Sequence, residues 1–146
     1  MCVGSRATTT CHAEFKGDKA VFSHIVLGAD DIQSAKQFYD AALGALGHGP
    51  GAETPDGTRV IYQTESGILM ITRPYDGQPA TYANGGTVGF TAPSTEAVEA
   101  FHSAGVSAGG SDEGAPGPRE AIPGSYAAYL RDPTGNKLVA WCMKDG

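Results

Sequence analysis

Short runs of apolar residues alternate with turn-forming residues along the chain, and their spacing predicts a first strand and a first helix. Residues 20–28 (AVFSHIVLG) are rich in β-branched and aromatic residues and predict the strand. Asp30 or Asp31 can cap the helix that follows, and Gly44 and Gly47 are expected to end it. Seven apolar residues at helical spacing predict its buried face: Ile32, Ala35, Phe38, Tyr39, Ala42, Leu43 and Leu46.

A hairpin completes the first half of the chain, and the order strand, helix and hairpin then recurs once in the second half. Residues 58–64 and 68–74 predict a hairpin around a Glu-Ser-Gly turn. In the second half, residues 86–92 predict a strand, and residues 124–132 and 137–143 predict a hairpin around Asp-Pro-Thr-Gly-Asn. The second helix, capped by Ser94 or Thr95, is expected to bury Ala97, Val98, Phe101 and Ala104.

A gap-free alignment of residue 22 onward with residue 85 onward places His24 on Thr87 and Phe38 on Phe101. The chain is therefore predicted to be a duplicated β-α-β-β-β unit, with halves at about 20–75 and 85–143. Strand alternation assigns the faces. The side chains expected toward the helices are Ile25, Leu27, Val88 and Phe90. Those expected in a concave interior are His24, Val26, Thr87 and Gly89.

The segment 109–126 (GGSDEGAPGPREAIPGSY) is rich in glycine and proline and predicts a long loop. It is expected to be either a lid, with Arg119 and Glu120 reaching over a pocket, or an extended connector across the open end of the sheet.

Composition narrows the possible partners. The net charge is −6 and no basic stripe is present, which argues against nucleic acid and anionic membranes as partners. No apolar run approaches the length of a membrane span. Residues 1–18 are expected to form an extension outside the fold, and residues 19–146 one domain. Three cysteines, Cys2, Cys11 and Cys142, do not suggest a disulfide framework, so a reducing cytoplasm is expected.

Three stretches carry a resemblance to a known family: SHIVLGADDIQSAKQFYDAALGALG, GGTVGFTAPSTEAVEAFHSAGVSAGG and YLRDPTGNKLVAW. They resemble the vicinal oxygen chelate superfamily, which includes glyoxalase I, bleomycin-resistance proteins and extradiol dioxygenases. The resemblance implies an α+β fold in which duplicated βαβββ units form a mixed, curved, eight-stranded sheet around a cavity. It also implies a homodimer, in some members with exchanged halves.

Metal-dependent members of that superfamily hold an ion with residues at four strand positions. At these positions this chain has His24, Met70, Thr87 and Val139, so only the histidine matches. Catalytic zinc typically takes three protein ligands. No cofactor is therefore expected, although a divalent ion held by His24 together with loop residues is an alternative. The loop residues in question are His48, Glu53, Glu65 and Glu120.

Five residues are candidate ligand contacts: His24, Thr87, Tyr62, Tyr129 and Arg131. His24 can also be a hydrogen-bonded core histidine, and Thr87 an ordinary strand residue. Tyr62 and Tyr129 are interpreted as equivalent positions of the two hairpins, with Arg131 on the same concave face as Tyr129. An arginine beside aromatic rings suits a small anion or a conjugated ring, and the alternative for Arg131 is a surface charge that stabilises the hairpin.

Two functions follow. The first is metal-free binding of a small organic molecule, as in the bleomycin-resistance branch. The second is a metal-dependent lyase or isomerase of glyoxalase I (lactoylglutathione lyase) type, or a related dioxygenase, in which an ion would chelate neighbouring substrate oxygens. The sequence favours the first, because three of the four metal positions have lost their ligands.

Overall fold

The computed structural model describes residues 21–144. Each half contains one strand, one helix and three further strands, so the predicted βαβββ duplication is confirmed. The helices are α1 (Ile32–Ala45) and α2 (Thr95–Ser107). The strands are β1 (His24–Gly28), β2 (Ala52–Glu53), β3 (Arg59–Thr64), β4 (Gly67–Thr72), β5 (Val88–Thr91), β6 (Ser111–Pro118), β7 (Ser125–Arg131) and β8 (Lys137–Met143). The extension expected over residues 1–18 lies outside the described residues.

The eight strands form two four-stranded mixed sheets, in the orders β1-β4-β3-β2 and β5-β8-β7-β6. In each sheet the first strand of the unit runs parallel to the last, and the remaining pairs are antiparallel. The α+β fold class is therefore confirmed, with the eight expected strands divided between two hydrogen-bonded sheets.

Strand register reproduces the internal repeat. Ile25 lies opposite Leu69 in the first sheet, and Val88 lies opposite Leu138 in the second. Because Ile25 falls on Val88 in the gap-free alignment, the two parallel strand pairs occupy equivalent positions in their sheets.

Helix α1 begins and ends through local hydrogen bonds. The Asp31 side chain accepts a hydrogen bond from the Ser34 backbone N–H at 3.0 Å, which lowers the pKa of that carboxyl. Gly44 does not end the helix as expected, since α1 continues through Ala45. The left-handed residue after the helix is Gly47, with φ 101°. All seven residues of the predicted apolar stripe are buried.

The two helices pack against each other and join the halves in one core. Phe38 of α1 and Phe101 of α2 are both fully buried. Glycines permit the close approach: a Cβ atom at Gly105 would lie 2.4 Å from Leu130, and one at Gly110 would lie 2.4 Å from the Phe38 ring. Neither helix within residues 21–144 is long and apolar enough to cross a membrane.

The Asp-Pro-Thr-Gly-Asn turn between β7 and β8 is organised by one buried carboxylate. Asp132 is only 4% exposed. Its Oδ1 accepts hydrogen bonds from the backbone N–H groups of Thr134, Gly135 and Asn136, each at 2.9 Å. The turn is therefore closed by its first side chain.

The same carboxylate ties the second half to the first. Its Oδ2 accepts from the Tyr39 hydroxyl of α1 at 2.5 Å and from the Asn136 side chain at 2.8 Å. The Asn136 amide also donates to the Gly28 carbonyl at the end of β1, at 3.2 Å. Burial and the neighbouring negative charge of Asp132 raise the pKa of Tyr39 well above its ordinary value.

The long loop expected over 109–126 is mostly a strand. Residues 111–118 pair with β7 as the outer strand of the second sheet, with register shifts on both sides of Gly114. Proline is tolerated there because an edge strand leaves one row of N–H groups unpaired. The eight-strand count implies a strand between α1 and the first hairpin, and the short strand β2 occupies that place, although its residues were not predicted.

Candidate functional site

A cavity of about 490 Å³ lies between the first sheet, the end of α1 and strand β5 of the second sheet. Its volume falls within the range typical of small-molecule sites. β1 and β5, which both line it, are edge strands of their sheets.

The body of the cavity is apolar and lies on the side of the sheets that faces the helices. The side chains that form it come from three strands and from the end of α1: Ile25, Leu69, Val88, Phe90, Leu43 and Leu46. The cavity was expected on the opposite, concave side. Of the residues expected on that side, His24 and Gly89 also line the cavity, whereas Val26 and Thr87 do not.

One end of the cavity is polar. Ser23 and His24 contribute from the start of β1, and Thr64 and Ser66 from the adjacent β3–β4 turn. His48, from the segment after α1, and Thr91 of β5 are further polar residues of the lining. None of the described residues that line the cavity carries a carboxylate. The arrangement therefore offers a largely apolar volume with several hydroxyl-bearing residues and two histidines in its lining.

His24 is exposed, so it is not a core histidine. Its Nδ1 lies 2.8 Å from the Ser23 hydroxyl oxygen. Thr87 is also exposed and stands immediately before β5, outside the cavity lining.

Tyr62 points toward α1 and not toward the concave face that was expected. Its hydroxyl donates to Asp40 at 2.7 Å, and the residue is 2% exposed. Burial and this hydrogen bond raise the pKa of the phenol. Register explains the difference, because the residue of β7 equivalent to Tyr62 is Leu130 and not Tyr129. The Tyr62 ring still forms part of the cavity wall.

Arg131 lies on the face of the second sheet that points away from the helices. Its guanidinium N–H groups donate to the hairpin turn and to the neighbouring strand β6. Its guanidinium donates to the Gly135 carbonyl at 2.9 Å and to Glu113 at 3.2 Å, and it covers the Tyr82 ring at 5.2 Å. This geometry corresponds to the alternative in which Arg131 stabilises the hairpin.

Tyr129 lies on the same side of the sheet as Arg131, as expected, but does not line the cavity. The Arg119 guanidinium lies 5.6 Å from its ring centre and the Lys137 ammonium 5.2 Å. Of the five predicted contact residues, the structure therefore brings only His24 and Tyr62 to the cavity.

The residues at the four family metal positions do not fit a divalent ion. His24, Met70, Thr87 and Val139 offer one imidazole, one thioether, one hydroxyl and a hydrocarbon, whereas catalytic zinc takes three nitrogen, sulfur or carboxylate ligands. The loop residues considered as substitutes do not gather around His24, because residues 21–144 contain no cluster of three or more metal-ligating side chains.

Several cavity residues were not identified as ligand contacts from the sequence. His48 was considered only as a substitute metal ligand, and Phe90 only as a residue facing the helices. A signal for Phe90 was nevertheless present, since the strand pattern placed it correctly on the helix side. What the pattern does not contain is the placement of β5 from the second sheet beside β1 and β4 of the first, which forms the cavity on that side.

Comparisons with known proteins agree with the fold. A sequence model of the Glyoxalase/Bleomycin resistance protein/Dioxygenase superfamily matches residues 21–140. The crystal structure of a glyoxalase/bleomycin resistance protein from Albidiferax ferrireducens T118 is 48% identical, covers 82% of this chain and 97% of its own, and superimposes with a TM-score of 0.78.

More distant structures share the fold alone. The lactoylglutathione lyase of Agrobacterium tumefaciens is 22% identical, with a TM-score of 0.60 and coverage of 84% of this chain and 93% of its own. A glyoxalase-related enzyme from Fulvimarina pelagi is 18% identical, with a TM-score of 0.66 and coverage of 82% and 86%. A search of curated proteins finds no match. The family match and the close structural relative together establish that this chain belongs to the glyoxalase/bleomycin resistance protein/dioxygenase superfamily.

Proposed function

We propose that this protein binds a small organic molecule in the cavity between the first sheet, α1 and β5, without a metal ion. The observation that carries the proposal is the cavity itself: about 490 Å³, apolar along its body, with a small number of hydrogen-bonding side chains in its lining. Ligand sites typically combine an apolar wall with a few polar groups that fix orientation.

The scarcity of metal-ligating side chains at the family positions supports the metal-free form of the proposal. A glyoxalase-type reaction through an ion requires ligands for that ion and a base to move the proton. The four family positions supply a single suitable ligand in His24, and the cavity lining includes no carboxylate among the described residues. Binding of an organic molecule without a reaction requires neither a metal ion nor a base.

A neutral fluorescent probe tests the proposal. N-phenyl-1-naphthylamine is expected to bind saturably, because its apolar rings would be removed from water inside the cavity. Ile25→Trp should weaken that binding by about tenfold, since Ile25 lines the cavity and is 38% exposed, leaving room for the larger side chain to project inward. Fluorescence titration measures both affinities.

Val26→Trp is the matched control, because Val26 follows on the same strand, is also exposed, and does not line the cavity. It should keep the affinity of the unmodified protein, and light scattering should show one oligomeric state for all three proteins. Absence of saturable binding, or equal weakening by both substitutions, would contradict the proposal.

We also propose that the protein is a homodimer. The side chains before β1 support this, since Val21 is 85% exposed and Phe22 73%. Both β1 and β5 also lack a strand partner on one edge within residues 21–144. Exposed apolar side chains beside free strand edges favour association. Light scattering should give twice the 15.0 kDa chain mass, and a monomer at micromolar concentration would contradict this proposal.

A further inference from the structure

The polar end of the cavity is built by two neighbouring segments of the first sheet. The Ile68 N–H of β4 donates to the Ser23 carbonyl at 3.3 Å, and His24 lies opposite Ile68 in the strand register. This pairing holds the start of β1 beside the β3–β4 turn, which carries Ser66. The polar groups at this end therefore have a fixed backbone arrangement.

Two histidines, His24 and His48, line the cavity. The Ser23 hydroxyl occupies Nδ1 of His24, so Nε2 is the nitrogen left for a ligand. His48 enters from the segment after α1, where its N–H bonds to the Leu43 carbonyl at 3.0 Å. Neither His24 Nε2 nor the His48 ring makes a hydrogen bond to another residue of the described range 21–144. An imidazole N–H is a donor suited to a carboxylate or another oxygen acceptor.

Charge at the cavity favours an acidic ligand group over a basic one. No described lining residue carries a carboxylate that would repel an anion or attract a cation. The remainder of the lining is mostly apolar, with side chains such as Leu43, Leu69 and Phe90. A charged group buried there without partners would be strongly disfavoured. A ligand that matches both the apolar and the polar parts of this lining is apolar along its body and acidic at one terminus.

We infer that the ligand is an amphipathic organic acid whose carboxylate accepts hydrogen bonds from His24 and His48 while its apolar body fills the remainder of the cavity. This inference rests on the proposed function and adds the chemical class of the ligand.

The test compares two molecules that share a body and differ in their head group, 2-naphthoate and 2-naphthalenemethanol. Each displaces N-phenyl-1-naphthylamine in competition titrations. The acid is expected to bind about tenfold more tightly than the alcohol, since hydrogen bonds to a charged acceptor are stronger than neutral ones. The His24→Leu/His48→Leu double variant should lose this preference and keep its affinity for the alcohol.

His102→Leu is the matched control. His102 lies on α2 outside the cavity, and its Nε2 is 2.7 Å from Asp112. This variant should preserve the preference for the acid. Equal affinity for acid and alcohol in the unmodified protein would overturn the inference and leave the proposed function standing. A preference that survives in the double variant would also overturn it. Failure of the probe and both competitors to bind would instead reject the proposed function itself.

Discussion

Replacing Asp132 by alanine is expected to lower the free energy of unfolding by about 4 kcal/mol. The substitution leaves the Tyr39 hydroxyl and the Asn136 amide without their acceptor, in a region where Tyr39 is fully buried and Asn136 is 6% exposed. It also removes the acceptor of three backbone N–H groups in the turn. Urea unfolding followed by the fluorescence of Trp141, the only tryptophan of the chain, measures the loss.

Asp56→Ala is the control for the turn alone. The Asp56 carboxylate also closes a turn, accepting from the Thr58 N–H at 3.1 Å and from the Thr54 hydroxyl at 2.8 Å, but it is exposed. The Thr54 hydroxyl and the Thr58 N–H lower the pKa of this carboxyl to about 2. Solvent can replace those bonds, so the loss should be much smaller. Equal losses in the two variants would show that Asp132 acts only within its turn and does not join the halves.

Gly110→Ala is expected to destabilise the protein by about 3 kcal/mol. The added Cβ would lie 2.4 Å from the Phe38 ring, 2.8 Å from the Arg131 carbonyl and 3.0 Å from the Gly105 carbonyl. Two of these neighbours are backbone atoms, so a side-chain rotation cannot relieve the overlap. Thermal and urea unfolding should both report the loss.

Gly44→Ala should have the opposite effect, stabilising the protein by roughly 0.5–1 kcal/mol. Gly44 lies inside α1, and a Cβ there would meet nothing within 4 Å.

Adding Phe38→Leu to Gly110→Ala should recover part of the loss, so that the two changes are not additive. If Gly110→Ala proves as stable as Gly44→Ala, the helix pair is packed less closely here than the structure indicates.

The predictions that held rest on local periodicity. The stripe from Ile32 to Leu46 was predictable because a helix repeats every 3.6 residues and all its apolar positions face one way. The hairpin at residues 58–72 was predictable because turn residues separate two apolar runs. The offset between Ile25 and Val88 was found because each half keeps the same spacing from its strand to its helix.

The predictions that failed concern register and edges. Tyr62 was assigned to the wrong face because two similar residues were matched by type, and a slip of one residue in a strand reverses every side chain. Strand β6 was missed because its glycines and prolines do not favour strands, whereas the neighbouring β7 supplies hydrogen bonds that its own sequence does not predict. The cavity depends on the relative position of strands that are far apart in the sequence. No local sequence pattern contains that information.

The bond from Tyr39 to Asp132 has a consequence for the two halves as separate molecules. The first hairpin turns through Glu65 and Ser66 and carries no counterpart of the buried Asp132, so the two halves contribute different groups to this contact. A fragment ending before β5 would have to hydrate the Tyr39 hydroxyl and the Gly28 carbonyl, and would expose the α1 surface that α2 now covers. Although the halves share one architecture, they are not interchangeable, because the second half supplies the polar partners of Tyr39 and Gly28 in the first.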